Sequence, residues 1–375
     1  MKEITYITHN LSVGGSQKVI INLSNEALKR GYRVNLIILI NDKYLLDNIL
    51  PSKNLYVYTC IKGQSSKGIA VRILIGINFL KIIRKLKPRF IHSHLWQIDI
   101  FYLFLLKIFF NTRIIHTIHS PGGAYLKENI GHCINILIER LVVHSFKSNL
   151  VIAVSEETRC AVEAVLKYKK CYVIPNGIDF DSFQLTYEPI SDPLFSKDKT
   201  FFVYPSRYEP SKGHLLLLSA FSSLVKTHKN IYLLLVGIDL KENLYEAVKN
   251  FNLLDRVIFY GPTAEINRLL KQCHYGVFPS QYEGQGLALC EMMAAGLPVI
   301  ASKITAVVNV TNNGDGALLF KHDSASDLFL KMQILLGDPC YAQELKSRGM
   351  KIIKDNFSSR KMFESHDRLY ELISI

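Results

Sequence analysis

The stretch Pro279–Ser302 reads PSQYEGQGLALCEMMAAGLPVIAS and decides the fold. A short apolar run enters Pro279. A Gly-bearing loop follows with one carboxylate, Glu283, and then a helix-like segment with a second, Glu291, placed about two turns inside it. Gly296-Leu297-Pro298 stops that helix and Val299–Ala301 begins another apolar strand. This is a βαβ unit with polar residues at the carboxyl end of its first strand, which is where open parallel sheets bind ligands.

Strand and helix patterns alternate outward from it in both directions. Upstream, strands are expected near Ile4–Thr8, Arg33–Ile40, Val57–Ile61, Pro88–His92, Thr112–Ile118, Leu150–Val154 and Cys171–Ile174. The helices between them include one from Ser16, read as its cap, to Arg30, and a basic amphipathic one near Gly68–Leu86. That helix carries Ile69, Ile73, Ile77, Leu80 and Ile83 at helical spacing. Further helices are expected at Ile98–Phe109, at Ile130–Phe146 and from Glu156, with Ser155 as its cap.

Pro175-Asn176-Gly177-Ile178-Asp179 is a turn cluster, and Ser182–Lys199 reads as a linker. A second alternation follows, with strands near Phe201–Pro205, Ile231–Val236, Val257–Tyr260, Gly276–Pro279 and Val299–Ala301. The tail from Ser358 forms one more helix, with Met362, Phe363, Leu369 and Leu372 apolar. The expected architecture is α/β: two doubly wound, Rossmann-like lobes facing a cleft. The divisions are 1–182, 183–357 and a final helix at 358–375.

The chain has 375 residues, of which 49% are hydrophobic, enough for large cores and too apolar for disorder. Its seven cysteines are scattered, with no CxxC, which suits a reducing compartment rather than a disulfide framework or zinc site. MKEITYITHN at the start has no apolar signal region, and no run reaches the ~18 apolar residues of a spanning helix. The net charge is +13 and uneven. No acid stands between Asp47 and Asp99, where Lys53, Lys62, Lys67, Arg72, Lys81, Arg84, Lys85, Lys87 and Arg89 all fall. Such a block attracts anionic lipid or nucleic acid; the plainer alternative is a solvated basic face.

Four groups of residues carry candidate chemistry. Glu283 and Glu291 flank a helix start near Gly286, whose free N–H groups can hold phosphate while the carboxylates accept from hydroxyls on either side. A nucleoside diphosphate sugar fits; an acidic loop with one surface Glu is the alternative. Arg207 and Lys212, in PSRYEPSKG, suit a diphosphate and would stabilise a leaving one, or are two exposed loop cations. Gly14-Gly15 resembles a phosphate loop but is neither GxGxxG nor a Walker sequence, and a tight turn explains it equally. His92, His94, His116 and His119 end two strands with no carboxylate at ligand spacing, so a metal is not expected. His119 is the member expected to face substrate, and His94 and His116 are read as structural.

Together these pieces resemble the GT-B-fold retaining glycosyltransferases of glycosyltransferase family 4. PSQYEGQGLALCEMMAAGLPVIAS resembles the family's EX7E motif, PSRYEPSKG its Arg/Lys diphosphate motif and GGSQKVIINLSNEALKRGYRV its first loop and helix. VSEE at 154–157 and PNGID at 175–179 resemble the segments that close its first lobe. The resemblance runs from residue 5 to about 320, and the final helix looks like the family's helix returning to the first lobe.

It implies that the first lobe binds acceptor and the second binds nucleotide sugar. Glu283 would contact the donor sugar and Glu291 the ribose. Arg207 and Lys212 would hold the diphosphate, helped by Gly284, Gln285 and the backbone of Gly286 and Leu287. Gly15 would approach the donor phosphate, and His119 would lie near the reacting end. It also implies a retaining transfer with no metal or cofactor, the leaving diphosphate helping to deprotonate the acceptor. Gln285 stands where the family usually has Phe, which predicts a more polar sugar pocket. Thr305, Ala306 and Asn309 stand where it often has a Gly pair and a Glu.

The expected activity is transfer of a hexose or N-acetylhexosamine from a UDP-sugar, or next a GDP-sugar, to a lipid-linked or surface polysaccharide. The expected place is cytoplasmic, peripheral at an anionic inner membrane face, with no nucleic-acid partner. A GT-B sugar-nucleotide epimerase and a non-catalytic nucleotide or nucleic-acid binder are the rival readings.

Overall fold

The computed structural model describes residues 2–12, 14–41, 45–63, 68–95, 99–110, 112–119, 136–137, 140, 150–167, 171–188, 190, 193–196 and 198–374. The chain forms two compact units: Met1–Gly177 with Ser359–Ile375, and Ile178–Ser358.

The first unit is built on seven parallel strands: β1 (Glu3–Thr8), β2 (Arg33–Asn41), β3 (Leu55–Lys62), β4 (Phe90–Ser93), β5 (Arg113–Ile118), β6 (Leu150–Ala153) and β7 (Cys171–Val173). Their order is β3-β2-β1-β4-β5-β6-β7, in register through pairs such as Ile7 with Ile37 and Ile91 with Ile114. Ile4, Tyr6, Ile7, Val34, Leu36 and Ile37 are all buried, so both sheet faces are covered, which is why these strands read as continuous apolar runs. Its helices are α1 (Gly15–Lys29), α2 (Ile69–Leu86), α3 (Ile100–Phe110) and α4 (Glu156–Leu166). The helix expected at 130–146 lies outside the described residues, apart from 136, 137 and 140.

Two local expectations change. Helix α1 starts at Gly15 behind Gly14, and Ser16 is not its cap; the Ser16 hydroxyl donates to Gln17 Oε1 instead (3.0 Å). Helix α2 turns Ile75, Gly76, Phe79 and Ile83 to the core, whereas Ile69, Ile73 and Ile77 face outward. The helix has apolar residues on nearly every side, so spacing could not select the buried face.

The second unit has six parallel strands: β8 (Thr200–Pro205), β9 (Ile231–Val236), β10 (Val257–Phe259), β11 (Tyr275–Phe278), β12 (Val299–Ser302) and β13 (Leu318–Phe320), in the order β10-β9-β8-β11-β12-β13. Its helices are α5 (His214–Leu224), α6 (Leu240–Asn250), α7 (Ile266–Leu270), α8 (Leu287–Ala294), α9 (Thr305–Val310), α10 (Ala325–Gly337) and α11 (Pro339–Asn356). Strand β13, too short to stand out in sequence, extends the sheet beyond β12 through Ile300 with Leu318. The stretch expected as linker carries two 3-10 turns, Asp181–Gln184 and Pro193–Phe195, the first burying Phe183.

The last helix, α12 (Ser359–Ser374), belongs to the first unit. Met362, Phe363, Leu369, Tyr370 and Ile373 are buried, but Leu372, expected on the same face, is exposed. Polar contacts fix its register. Tyr32 donates to Asp367 (2.5 Å), Ser359 to Glu26 (3.2 Å), and Arg30 stacks over Phe363 at 4.7 Å.

Candidate functional site

Each sheet reverses direction once, between β1 and β4 in the first unit and between β8 and β11 in the second. Loops leaving the carboxyl ends of such strand pairs diverge to opposite faces and open a crevice for ligand. In the second unit the loop after β8 carries Arg207 and Lys212, and the loop after β11 carries Glu283 to Gly286. The sequence motifs therefore sit on the two strands that flank the reversal.

Backbone contacts hold these loops together. Gly213 has φ +70°, and a Cβ there would lie 2.2 Å from the Pro279 carbonyl oxygen, so only glycine permits this approach. The buried Tyr204 hydroxyl donates to the Lys212 carbonyl (2.9 Å) and lies 2.9 Å from Ser280 Oγ. Gln281 N–H donates to the Ser211 carbonyl at 2.7 Å, and Ser302 Oγ donates to the Ser280 carbonyl. On this frame Lys212 Nζ reaches Glu283 Oε1 at 2.7 Å, with both side chains mostly buried. Two motifs separated by 71 residues thus meet in one charge-assisted hydrogen bond.

Helix α8 begins immediately beyond. Gly286 takes φ +91°, no side chain caps the helix, and its first turn holds no acid. Its leading N–H groups and positive dipole end are therefore open to an anion. Glu291 is buried at the fifth residue of α8, little more than one turn in rather than two, because the helix starts at Leu287. Gly284 and Gln285 are buried in the loop. The Gln285 side chain hydrogen-bonds the Cys290 thiol.

Arg207 pairs with a different carboxylate from Lys212. Half-exposed, it donates to Glu209 Oε2 through Nη2 at 3.0 Å. Burial works against ionisation of Glu209, yet Arg207, Lys212 and Ser211 together hold its carboxyl below the ordinary range. Glu209 escaped the sequence reading, although it stands two residues from Arg207, where an extended chain brings side chains to one side.

In the first unit, Gly15 is exposed at the start of α1, after β1. His119 follows β5, and its Nε2 lies 2.9 Å from His94 Nδ1. Burial and the neighbouring His116 and His366 keep the His119 imidazole well below its usual range, hence neutral near pH 7. His94 and His116 are buried, His116 beside Ser93 Oγ at 3.3 Å. His92 lies 2.7 Å from the Tyr370 hydroxyl of α12 and 2.8 Å from Thr117 Oγ1. A second polar pair, unforeseen in sequence, joins His9 after β1 to Asp99 before α3 at 2.8 Å, and Asp99 raises the His9 pKa. Among the described residues, no group of three or more His, Cys, Asp or Glu side chains is placed to hold a metal ion.

Residues 13–182 match the family described as Glycosyltransferase Family 4, and residues 188–352 match that described as Glycosyl transferases group 1. One relative is the N-acetylgalactosamine-N,N'-diacetylbacillosaminyl-diphospho-undecaprenol 4-alpha-N-acetylgalactosaminyltransferase of Campylobacter jejuni. It is 24% identical over 93% of this chain and 94% of its own. The UDP-Gal:alpha-D-GlcNAc-diphosphoundecaprenol alpha-1,3-galactosyltransferase of Escherichia coli is 24% identical over 66% of each chain. Sucrose-phosphate synthase from Thermosynechococcus elongatus shares the fold, with a TM-score of 0.82 at 21% identity, covering 100% of this chain and 99% of that one. The chain belongs to the group 1/family 4 glycosyltransferases and has their two-lobe GT-B fold.

Proposed function

We propose that this enzyme transfers a hexose or N-acetylhexosamine from a nucleotide sugar, UDP-sugar before GDP-sugar, to a lipid-linked or surface saccharide, with retention of configuration. The observation that carries the donor side is the Lys212–Glu283 contact beside the uncapped start of α8, at the reversal point of the second sheet. A diphosphate needs concentrated positive charge and N–H donors. Lys212, Arg207 and the amides of Gly286 and Leu287 supply both, meeting the charge that builds as the nucleoside diphosphate departs; no metal is assigned to that work. Glu283 is left to orient sugar hydroxyls and Glu291 to hold the ribose. The acceptor side draws on the relatives, two of which are named for diphospho-undecaprenol acceptors. A cytoplasmic protein working at the inner membrane face suits such an acceptor.

The test is turnover with UDP- and GDP-sugars, each with and without undecaprenyl-diphospho-N-acetylglucosamine, read as nucleotide released and sugar transferred. Acceptor-dependent release supports the proposal. Conversion of the sugar nucleotide without acceptor would make the enzyme an epimerase instead. Lys212→Ala removes charge stabilisation at the leaving group and is expected to lower kcat by about 10²–10³-fold, the range for deleting one such group. Unchanged turnover in Lys212→Ala and in Glu291→Ala would overturn the site assignment.

A further inference from the structure

The histidines around the ends of β4 and β5 form a layered set, pinned at its inner member. His92 is engaged at both ring nitrogens, Nδ1 lying 2.7 Å from the Tyr370 hydroxyl and Nε2 2.8 Å from Thr117 Oγ1. The His94 ring rests on it with centroids 4.3 Å apart, and Tyr6 meets His94 edge-on at 6.4 Å. The backbone fixes His94 as well, its N–H donating to the Ile7 carbonyl at 3.0 Å. His119 comes next, tilted 30° to His94 with centroids 5.1 Å apart. Its Nε2 faces His94 Nδ1 at 2.9 Å, the distance of a full hydrogen bond. No described residue takes its other ring nitrogen, Nδ1.

The far side of His94 decides which ring donates. Burial and neighbouring imidazoles keep both rings neutral near pH 7, so each has one N–H and one bare nitrogen. Two arrangements can join them. If His119 Nε2–H donated, His94 would accept on Nδ1 and carry its own proton on Nε2. That atom is buried and meets no hydrogen-bonding partner among the described residues. An N–H there would bear its full desolvation cost, and orphaned buried N–H groups are rare. If His94 Nδ1–H donates instead, Nε2 is left as a bare lone pair. His366, whose ring lies 5.2 Å from that of His92, already has this form. Its Nδ1 donates to the Met362 carbonyl at 2.8 Å and leaves Nε2 buried and bare. The same cluster thus accommodates a bare imidazole nitrogen where it offers nothing to an N–H.

We propose that His94 is a positioning residue that donates to His119 Nε2 and so fixes His119 as the tautomer protonated on Nδ1. His119 then presents substrate with an N–H donor and no bare nitrogen. It can hold a hydroxyl oxygen of the saccharide, but it cannot take a proton from the acceptor. This deepens the reading of the protein as a glycosyltransferase with His119 near the reacting end, and rests on it.

The test is long-range proton–nitrogen correlation NMR of the full chain carrying isotopically labelled histidine. Such spectra separate rings protonated on Nδ1, on Nε2 or on both, and the His119 signals are those lost in His119→Asn. Near neutral pH the wild type is expected to show His119 protonated on Nδ1 alone. In His94→Ala the donor is gone, so the His119 signals should become those of mixed tautomers. Its kcat for sugar transfer should fall by up to about tenfold, the worth of one hydrogen bond. His94→Asn, whose amide can donate to the same atom, is expected to restore the Nδ1 tautomer and most of the turnover. A role in packing alone would give no such rescue. A proton on His119 Nε2 in the wild type would overturn the proposal. So would unchanged turnover in His94→Ala, whether or not its tautomer changes. The wild-type spectrum decides the tautomer even if a thermal scan shows that a variant fails to fold. Absence of turnover with every nucleotide sugar would remove the enzymatic reading, while the spectrum would still report on the histidine pair.

Discussion

At the scale of single residues, both cations of the candidate diphosphate site are already held by carboxylates, Lys212 by Glu283 and Arg207 by Glu209. The two pairs differ in kind. Lys212 and Glu283 are mostly buried and fixed by their loops, so their contact is part of the site's shape. Arg207 and Glu209 are half-exposed, and such pairs contribute about 0.2–1 kcal/mol. An incoming diphosphate that takes Arg207 must displace Glu209 and lie beside its charge. Glu209→Gln is therefore expected to tighten UDP binding by up to about fivefold, the affinity equivalent of the upper end of that energy, measured by calorimetry at low salt. Added salt should shrink the difference. Unchanged affinity would show that Arg207 does not meet the diphosphate. The Arg207 and Lys212 positions were legible in sequence because two cations so close to a strand end are chemically distinctive. Their carboxylate partners were not, since pairing depends on loop paths set by tertiary contacts such as those of Gly213 and the Tyr204 hydroxyl.

At the scale of elements, the βαβ unit at 279–302 was readable because each boundary has a local cause: Pro279 after an apolar run, Gly286 before the helix, Gly296 after it. Glu291 was misplaced by a turn because Gly284, Gln285 and Gly286 keep the chain out of helix until Leu287. Strand β13 and the buried side of α2 depend on tertiary neighbours and left no periodic trace. Helix α12 lies between these extremes. Its existence was plain, but its attachment is a matter of packing, with Phe363 buried edge-to-face against Tyr32 at 5.6 Å and near Tyr370 at 6.3 Å. Phe363→Ala removes that anchor and opens a cavity, which typically costs 3–5 kcal/mol. The expected result is a lower urea midpoint for the first unit, with UDP binding by the second unit retained if the units unfold separately. A loss within a few tenths of a kcal/mol would mean that α12 is held by its polar contacts alone.

At the scale of the whole molecule, the first unit encloses an unusual set of histidines around β4, β5 and α12. His92 and His366 lie with ring centroids 5.2 Å apart, His92 and His94 4.3 Å, and His94 and His119 5.1 Å. Burial, reinforced for the first three by neighbouring imidazoles, lowers the pKa of His92, His94 and His119, and burial also brings His366 down to about 4. All four are neutral in the folded state at pH 7, whereas in the unfolded chain they titrate near their ordinary value of about 6.5. Between those limits the unfolded state binds more protons, so stability rises with pH. This contribution is complete above about pH 7 and drains away as pH falls through 6 toward 4. His9, raised by Asp99, works in the opposite direction, but it is one group against four. In the second unit His214, lowered to about 4, and His274 act in the same sense with fewer groups. Thermal scans across pH 4 to 8 should therefore show the first unit losing stability before the second on acidification. His366→Gln, which cannot titrate, should flatten that slope even if it lowers the melting point at pH 8. Parallel pH profiles for the variant and the wild type would remove the histidine set as the cause.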